Sequence, residues 1–469
     1  MKLALFNQVI LTAVITFSLS QSAFSQADEK YPEYTGLYTD TKNEHTKLVV
    51  LEDNGILYIQ SLAGIYQVIF SSKTDIKLMV QNESTAPAHF SEFKNGKYHK
   101  LNMGQGVNKL ILKRDDIPES KCKSVLYEAI DRSDFLVGFN KTKLPPGQSP
   151  DIETVSIEEA GGNRSLIKKL IRRVSGRVNC LLISKNSRLV VEEYFNGYSA
   201  EDSQRIASVT KSIVSLLLGE AIEKKYIRSI NDRIVKYLPE YKSILVGEKK
   251  KITVKDLAEM SSGLEWYEWD VSYFDPENIN QIAAQSPDPV KFVLSQPLIH
   301  KPGKVFAYNS GSTPLIMKII KNAAGAKTFA EFAIHSNLSR LDFKNAYWIM
   351  QNSGREGNFL LRPRDMIKIG QLVLNNGMWN GEQIVSKKWI LESTKRHIDT
   401  GSSWDGYGYQ WWHKTFRVGD REFKAVAAYG FSGQKIVIIK ELDMVIVTTR
   451  EFSDRPVLII TDQVIEAFI

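Results

Sequence analysis

After position 30 the apolar positions fall in short β-rich runs separated by turn residues, which predicts short strands. Lys47–Leu51 and Ile56–Ile59 flank Asp53-Asn54-Gly55, a hairpin turn signal. Ile65–Phe70 and Ile76–Gln81 follow as β-rich runs. His89–Lys94 and Tyr98–Leu101 flank Asn95-Gly96, a second hairpin, and Val107–Lys113 closes the series. Strands of this length and spacing predict a small sandwich or barrel over 31–115. Residues 116–164 read as a connector, punctuated by Leu144-Pro145-Pro146-Gly147 and Gly161-Gly162.

From 165 to 469 the pattern is mixed. A basic amphipathic helix is predicted over Ser165–Arg173, then strands over Val178–Ser184 and Arg188–Phe195 around Lys185-Asn186-Ser187. From 208 to about 395 the apolar positions follow the helical period. Strands return at Phe423–Tyr429, Lys435–Ile439 and Met444–Arg450. A last helix starts near Pro456, a residue suited to the first helical position, and runs to Phe468. The order strand pair, helical insertion, strand trio, helix predicts an α+β domain. Its two ends build one antiparallel sheet, helices cover the sheet, and the insertion sits beside it.

Composition narrows the class. The chain has 469 residues, 43% of them apolar and 24% charged, as in ordinary globular proteins. Two cysteines exclude a disulfide scaffold and a four-thiolate zinc site. Cys122 and Cys180 form a pair or stay as two buried thiols; the sequence leaves both open. The net charge of +8 is spread in short clusters such as Lys249-Lys250-Lys251 and Arg172-Arg173, which read as solvated surface and imply no nucleic-acid partner. The seven histidines show no metal-ligand spacing, and neither a dinucleotide fingerprint nor a P-loop is present, so no metal or cofactor is expected.

The N-terminus reads as an address. Lys2 precedes an apolar run to Leu19, and the small residues Ala23 and Ser25 sit at the −3 and −1 positions of a cleavage site before Gln26. A secretory signal peptide over 1–25 is expected, hence an exported protein, periplasmic or secreted, with no membrane anchor after cleavage. The run is short and interrupted for a membrane span.

The chemistry centres on S-x-x-K. A serine hydroxyl needs a neighbouring base to become a nucleophile. Residues i and i+3 share a helix face, and a desolvated lysine serves as such a base. The tetrapeptide occurs five times, at Ser91, Ser120, Ser165, Ser208 and Ser432. Only Ser208-Val209-Thr210-Lys211 opens a long apolar helix, whose core packing would hold the pair rigidly. Taken alone, Ser208 also reads as a simple helix cap.

Further blocks accompany it in order: Val190-Val191-Glu192-Glu193-Tyr194-Phe195, Ile206-Ala207-Ser208-Val209-Thr210-Lys211-Ser212, Ile252-Thr253-Val254-Lys255-Asp256-Leu257, Met260-Ser261-Ser262-Gly263-Leu264-Glu265-Trp266, Pro302-Gly303-Lys304-Val305-Phe306-Ala307-Tyr308-Asn309-Ser310-Gly311, Tyr407-Gly408-Tyr409-Gln410-Trp411-Trp412 and Gly430-Phe431-Ser432-Gly433-Gln434. Through them, residues 176–469 resemble the β-lactamase-related serine hydrolases, which include class C β-lactamases, DD-peptidases, esterases and an oligoamide hydrolase. The N-terminal strands resemble the lipocalin-like accessory barrels that accompany such enzymes.

The resemblance implies roles. Ser208 would be the nucleophile and Lys211 its base partner. Tyr308 would be the tyrosine of the second motif, acting as a phenolate base or as a proton shuttle. Ser310 would take the place of that motif's asparagine. Ala428-Tyr429-Gly430 matches the third motif, usually Lys-Thr-Gly or His-x-Gly, with its cation replaced by Ala428. The amides of Ser208 and Phe431 would form the oxyanion hole, with Gly430 and Ser432 beside the substrate. The missing cation favours a neutral ester or amide over a penicillin, unless Arg362 or Arg364 substitutes. Trp266 and Trp411, within two aromatic clusters, line an acyl pocket or pack the core. The expected function is hydrolysis of an ester or amide in a small molecule or peptide through an acyl-enzyme. The alternatives are a β-lactamase or DD-peptidase, or a non-catalytic cell-wall binding protein on the same fold.

Overall fold

The computed structural model describes residues 34–115 apart from 35, 42, 54–55, 62–63, 71–74, 81–82, 96 and 104–109; residues 136–138; residues 152–450 apart from 274 and 351–355; and residues 460–469. The expected leader, Cys122, the Pro145-Pro146-Gly147 break and the Pro456 helix start lie outside the described residues.

The N-terminal strands close on themselves. Eight strands, from Gly36–Asp40 to Leu110–Arg114, pair antiparallel in chain order, and the first pairs with the last in the register Tyr38↔Arg114. Closure removes the exposed edges that a sandwich would leave. Tyr38, Leu48, Val50, Phe90, Tyr98, Leu101 and Leu112 fill one apolar cluster inside. The Tyr38 hydroxyl donates to the carbonyls of Tyr34 (2.8 Å) and Tyr98 (3.1 Å). The strand expected at His89–Lys94 begins earlier, at Glu83, and contains Pro87. Proline cannot donate to a ladder, so its strand signal is weak; a bulge between Leu78 and Met79 lies opposite this stretch.

The larger unit is built around a seven-stranded sheet. Its elements are α1 (Arg164–Val174), β1 (Cys180–Lys185), β2 (Arg188–Tyr194), α2 (Val209–Glu223), α3 (Ser312–Ala324), α4 (Pro363–Leu374), β3 (Gly406–Tyr407), β4 (Trp412–Val418), β5 (Arg421–Gly430), β6 (Gln434–Ile439), β7 (Met444–Thr449) and α5 (Thr461–Glu466). The strand order is β2-β1-β7-β6-β5-β4-β3, every neighbour antiparallel. As the pattern predicts, β1 from the start of the domain pairs with β7 from its end.

Period-two alternation separates two cores. On one face Cys180, Leu182, Ile436, Ile438, Val445 and Val447 pack with α2 and α4. On the other, Leu181, Ile183, Val437, Ile439, Met444 and Ile446 pack with Ile167 and Leu170 of α1 and Val464 and Ile465 of α5. The sequence pattern did not show β4. That strand is only half-buried along most of its length, so its apolar period is faint. The connector is also more than a link. Leu136–Gly138 pairs with Tyr347–Met350, and the Val155 amide donates to the Leu189 carbonyl at 2.9 Å. Among the described residues no helix is long and apolar enough to cross a membrane.

Candidate active site

Helix α2 is apolar nearly all round, and Ile213, Val214, Leu216, Leu217 and Leu218 are fully buried. Its first turn is therefore fixed by the core. Just before it, Ala207 adopts φ +46°, a left-handed conformation costly for any residue with a Cβ. Met260 (φ +60°), Gln410 (φ +66°) and Ser432 (φ +62°) share this strain. Met260 Sδ accepts from the Asn309 amide, and Gln410 and Ser432 lie in blocks that flank the site. Strain gathered in this way marks a site held in one shape by its surroundings.

Ser208 precedes α2 but its side chain caps nothing. Lys211, one turn on, donates instead to Ser208 Oγ at 2.8 Å. Ser208 is thus not the plain helix cap that the tetrapeptide alone left open. Lys211 is buried, 7% exposed, and burial pulls its ammonium from 10.5 down to about 8, against the opposing pull of the Glu268 carboxylate. Its Nζ also donates to Ser310 Oγ at 3.2 Å, so Ser310 does occupy a place beside the lysine.

Tyr308 is buried in a cluster with two indoles, which also stack on each other at 6.2 Å. Its ring stacks on Trp269 (centroids 5.0 Å apart, planes at 16°) and on Trp412 (5.3 Å, 26°), and Lys211 Nζ lies 5.2 Å from its centroid. Burial, and secondarily Glu268, push its phenol far above the ordinary value of 10, and the adjacent Ser208 hydroxyl offsets this only in part. Burial thus favours the protonated phenol, while the Ser208 hydroxyl beside it pulls the other way.

Gly430 ends β5 against α2. A Cβ there would lie 2.7 Å from the Ile206 carbonyl oxygen and 3.1 Å from the Ser208 amide nitrogen. No side chain fits, so the third-motif strand is held directly against the nucleophile's backbone. Gly430→Ala is expected to push the two apart and to lower kcat on an activated ester by about 10²–10³, the scale of a lost oxyanion donor. An unchanged kcat would show that this contact does not matter to turnover. Next in the chain, the Phe431 ring packs on Tyr273 (5.0 Å), and Ser432 is buried at 4% exposure.

Of the two readings left open for Trp266 and Trp411, core packing is the one the burial supports: both belong to the core cluster around α2, with Trp411 fully buried and Trp266 7% exposed. The Trp266 indole is held inward by donating to Glu268 at 2.5 Å. The rings beside Tyr308 are Trp412, from the second cluster, and Trp269, which is 50% exposed. The suggested substitute cations are also committed elsewhere. Arg362 pairs with Asp365 (2.9 Å) and Glu201 (3.0 Å), and Arg364 with Glu192 (2.6 Å).

The sequence reading missed Glu268. Its carboxylate is 1% exposed and accepts from Trp266 Nε1, the Tyr273 hydroxyl, the Ser310 amide (2.7 Å) and the Ser310 hydroxyl (2.8 Å). Glu265-Trp266-Tyr267-Glu268-Trp269-Asp270 sets three acids among three aromatics, and the sequence does not single out Glu268 as the one that is buried and must find donors. Among the described residues no group of three His, Cys, Asp or Glu is placed to hold a metal.

The Beta-lactamase family profile matches residues 167–457. A 6-aminohexanoate-dimer hydrolase of Paenarthrobacter ureafaciens is 22% identical over 59% of this chain and 73% of its own length. Protein Flp of Staphylococcus aureus MRSA252 is 24% identical over 37% of this chain and only 35% of its own length. Among solved structures, one from Bacillus anthracis, provisionally named a 6-aminohexanoate-dimer hydrolase, superposes with a TM-score of 0.53 at 23% identity, covering 72% of this chain and 89% of its own. EstCE1, described as a hydrolase with promiscuous acyltransferase activity, superposes at 0.51 with 12% identity, covering 65% and 97%. At these identities the superpositions establish the fold. With a family profile spanning well over half its length, and with Ser208 and Lys211 paired at the head of α2, the chain belongs to the Beta-lactamase family of serine hydrolases.

Proposed function

We propose that the protein hydrolyses a neutral ester or amide through an acyl-enzyme on Ser208. The observation that carries this reading is the buried Lys211 amine held 2.8 Å from Ser208 Oγ. Neutral Lys211 takes the serine proton as Oγ attacks the carbonyl carbon. The amides of Ser208 and Phe431 stabilise the oxyanion, with Gly430 allowing the close approach. As the tetrahedral intermediate collapses, the proton returns to the leaving alkoxide or amine from Lys211, either directly or through the Tyr308 hydroxyl. Water then attacks the ester on Ser208, giving a proton to the same base, which passes it to Ser208 Oγ as the acid product leaves.

The charge inventory supports a neutral acyl group. Ala428 stands where the third motif usually carries its cation, and Arg362 and Arg364 are held by carboxylates. The named activity of one relative, a 6-aminohexanoate-dimer hydrolase, is consistent with this reading.

The test is a pH–rate profile on an activated short-chain ester, a neutral amide and a penicillin. Only neutral Lys211 is a base, so kcat/KM for the ester is expected to rise about tenfold per pH unit on the acid side and to level off near pH 8, where burial has set the amine. Ester or amide turnover should exceed penicillin turnover. Faster penicillin turnover would move the assignment to the β-lactamase branch, and no turnover of any substrate by folded protein would favour a binding protein.

A further inference from the structure

We propose that Glu268 is a positioning residue that sets the direction of the hydrogen-bond chain through Ser310, so that the lone pair of Lys211 faces only the nucleophile. The inference rests on the acyl-enzyme reading above. Each oxygen of the Glu268 carboxylate meets two partners: Tyr273 and Ser310 hydroxyls on Oε1, the Trp266 indole and the Ser310 amide on Oε2. The indole and the amide can only donate, and burial keeps the Tyr273 phenol protonated, so it donates as well. The carboxylate thus acts as an acceptor throughout.

A serine hydroxyl has one proton. At Ser310 that proton goes to Glu268 Oε1 at 2.8 Å. Ser310 Oγ is left with lone pairs alone to offer Lys211, and the lysine must donate across the 3.2 Å contact. A neutral amine has two N–H bonds and one lone pair. With one N–H fixed on Ser310, the lone pair is free for the proton of Ser208, 2.8 Å away. Were Ser310 turned the other way, its proton would occupy that lone pair and the base would be blocked. Glu268 prevents this without touching substrate.

The groups facing Lys211 are few. Ser208 lies on its own helix turn, Tyr308 presents its ring at 5.2 Å, and Ser310 intervenes before Glu268. Tyr273 and Tyr407 lie beyond, their phenols kept protonated mainly by burial. Glu268 is therefore the anion that tunes the lysine, and removing its charge makes the ammonium less favourable.

Two variants and the wild type decide the matter, read by the rate of Ser208 modification with a fluorophosphonate across pH and by thermal melting. Glu268→Gln keeps the shape but adds an N–H donor beside Ser310. Its plateau rate is expected to fall at least about tenfold, the lower end of what a positioned base contributes, and its acid limb to move to lower pH. Ser310→Ala keeps the anion but breaks the chain, so its plateau should fall similarly with the limb in place. The double variant should lose no more than Glu268→Gln alone. A folded Glu268→Gln protein with the wild-type limb and plateau would overturn the proposal, as would losses that multiply in the double variant. Should Glu268→Gln fail to fold, a wild-type plateau in Ser310→Ala overturns it and a lowered plateau supports it. Wild-type protein that takes no label at Ser208 would instead sink the acyl-enzyme reading, and this inference with it.

Discussion

Replacing Ser208 by alanine is expected to remove hydrolysis of every substrate, with a loss in kcat on the order of 10⁴ or more, while leaving the melting temperature nearly unchanged. The two halves of this expectation come from one feature. The Ser208 hydroxyl contributes no cap to α2, so its removal costs the helix none of the cap stability, about 1 kcal/mol, that a bonded N-cap serine would supply. What holds the first turn is the buried apolar run from Val209 to Leu218, which the substitution leaves intact. The hydroxyl's polar environment is instead Lys211 and Tyr308, neither of which caps the helix. Kinetics on the activated ester and a thermal melt check both halves. A fall in melting temperature comparable with a core deletion would make Ser208 a structural residue, and retained turnover would place the nucleophile elsewhere.

Lys211→Met is expected to lower the acylation rate by about 10²–10⁴, the range for a general base, and at neutral pH to stabilise the fold or leave it unharmed. The sign follows from linkage. Burial lowers the Lys211 amine from 10.5 to about 8, so between those values the unfolded chain binds more protons than the folded one. Stability linked to this group is fully present above pH 10.5 and is lost as pH falls through 8. Near pH 7 the folded protein carries a buried cation at a cost on the order of 3 kcal/mol, since each tenfold weakening of proton binding is worth about 1.4 kcal/mol. Methionine fills a similar volume without that charge. The Glu268 carboxylate keeps its other donors, which limits the gain. The residual rate of the variant comes from the oxyanion hole and binding alone, which remain when a catalytic side chain is removed. Denaturant melts at pH 7 and pH 9.5 check the stability sign: the advantage of the methionine variant should shrink as pH rises. A variant less stable than wild type at both values would contradict it.

Much of the fold was legible in the sequence because single segments carry it. The buried strands β1, β6 and β7 are nearly continuous apolar runs, and Ser208 to Ile222 is too long and too apolar to be anything but a core helix. The N-terminal strands were legible from β-rich runs broken by Asn-Gly turns, but closure into a barrel rather than a sandwich was not. What was not legible depends on contacts far apart in the chain. Tyr308 reads locally as an aromatic after a Pro-Gly turn; only the fold brings it beside Ser208 and against Trp269 and Trp412. Trp411 and Trp412 are neighbours in sequence yet face opposite cores across the edge of the sheet, so composition could not say which ring reaches the site. Glu268 lay hidden for the same reason: its donors come from Trp266, Tyr273 and Ser310, forty-two residues away in the last case. Half-exposed β4 gave a weak period and was overlooked.

The most direct test of the central claim is the intact mass of the protein after exposure to a fluorophosphonate, with Ser208→Ala alongside. The account predicts one adduct on the wild type, mapped by peptide digestion to Ser208, and none on the variant. An adduct of equal yield on both proteins, or none on folded wild type, would contradict the assignment of Ser208 as the activated nucleophile.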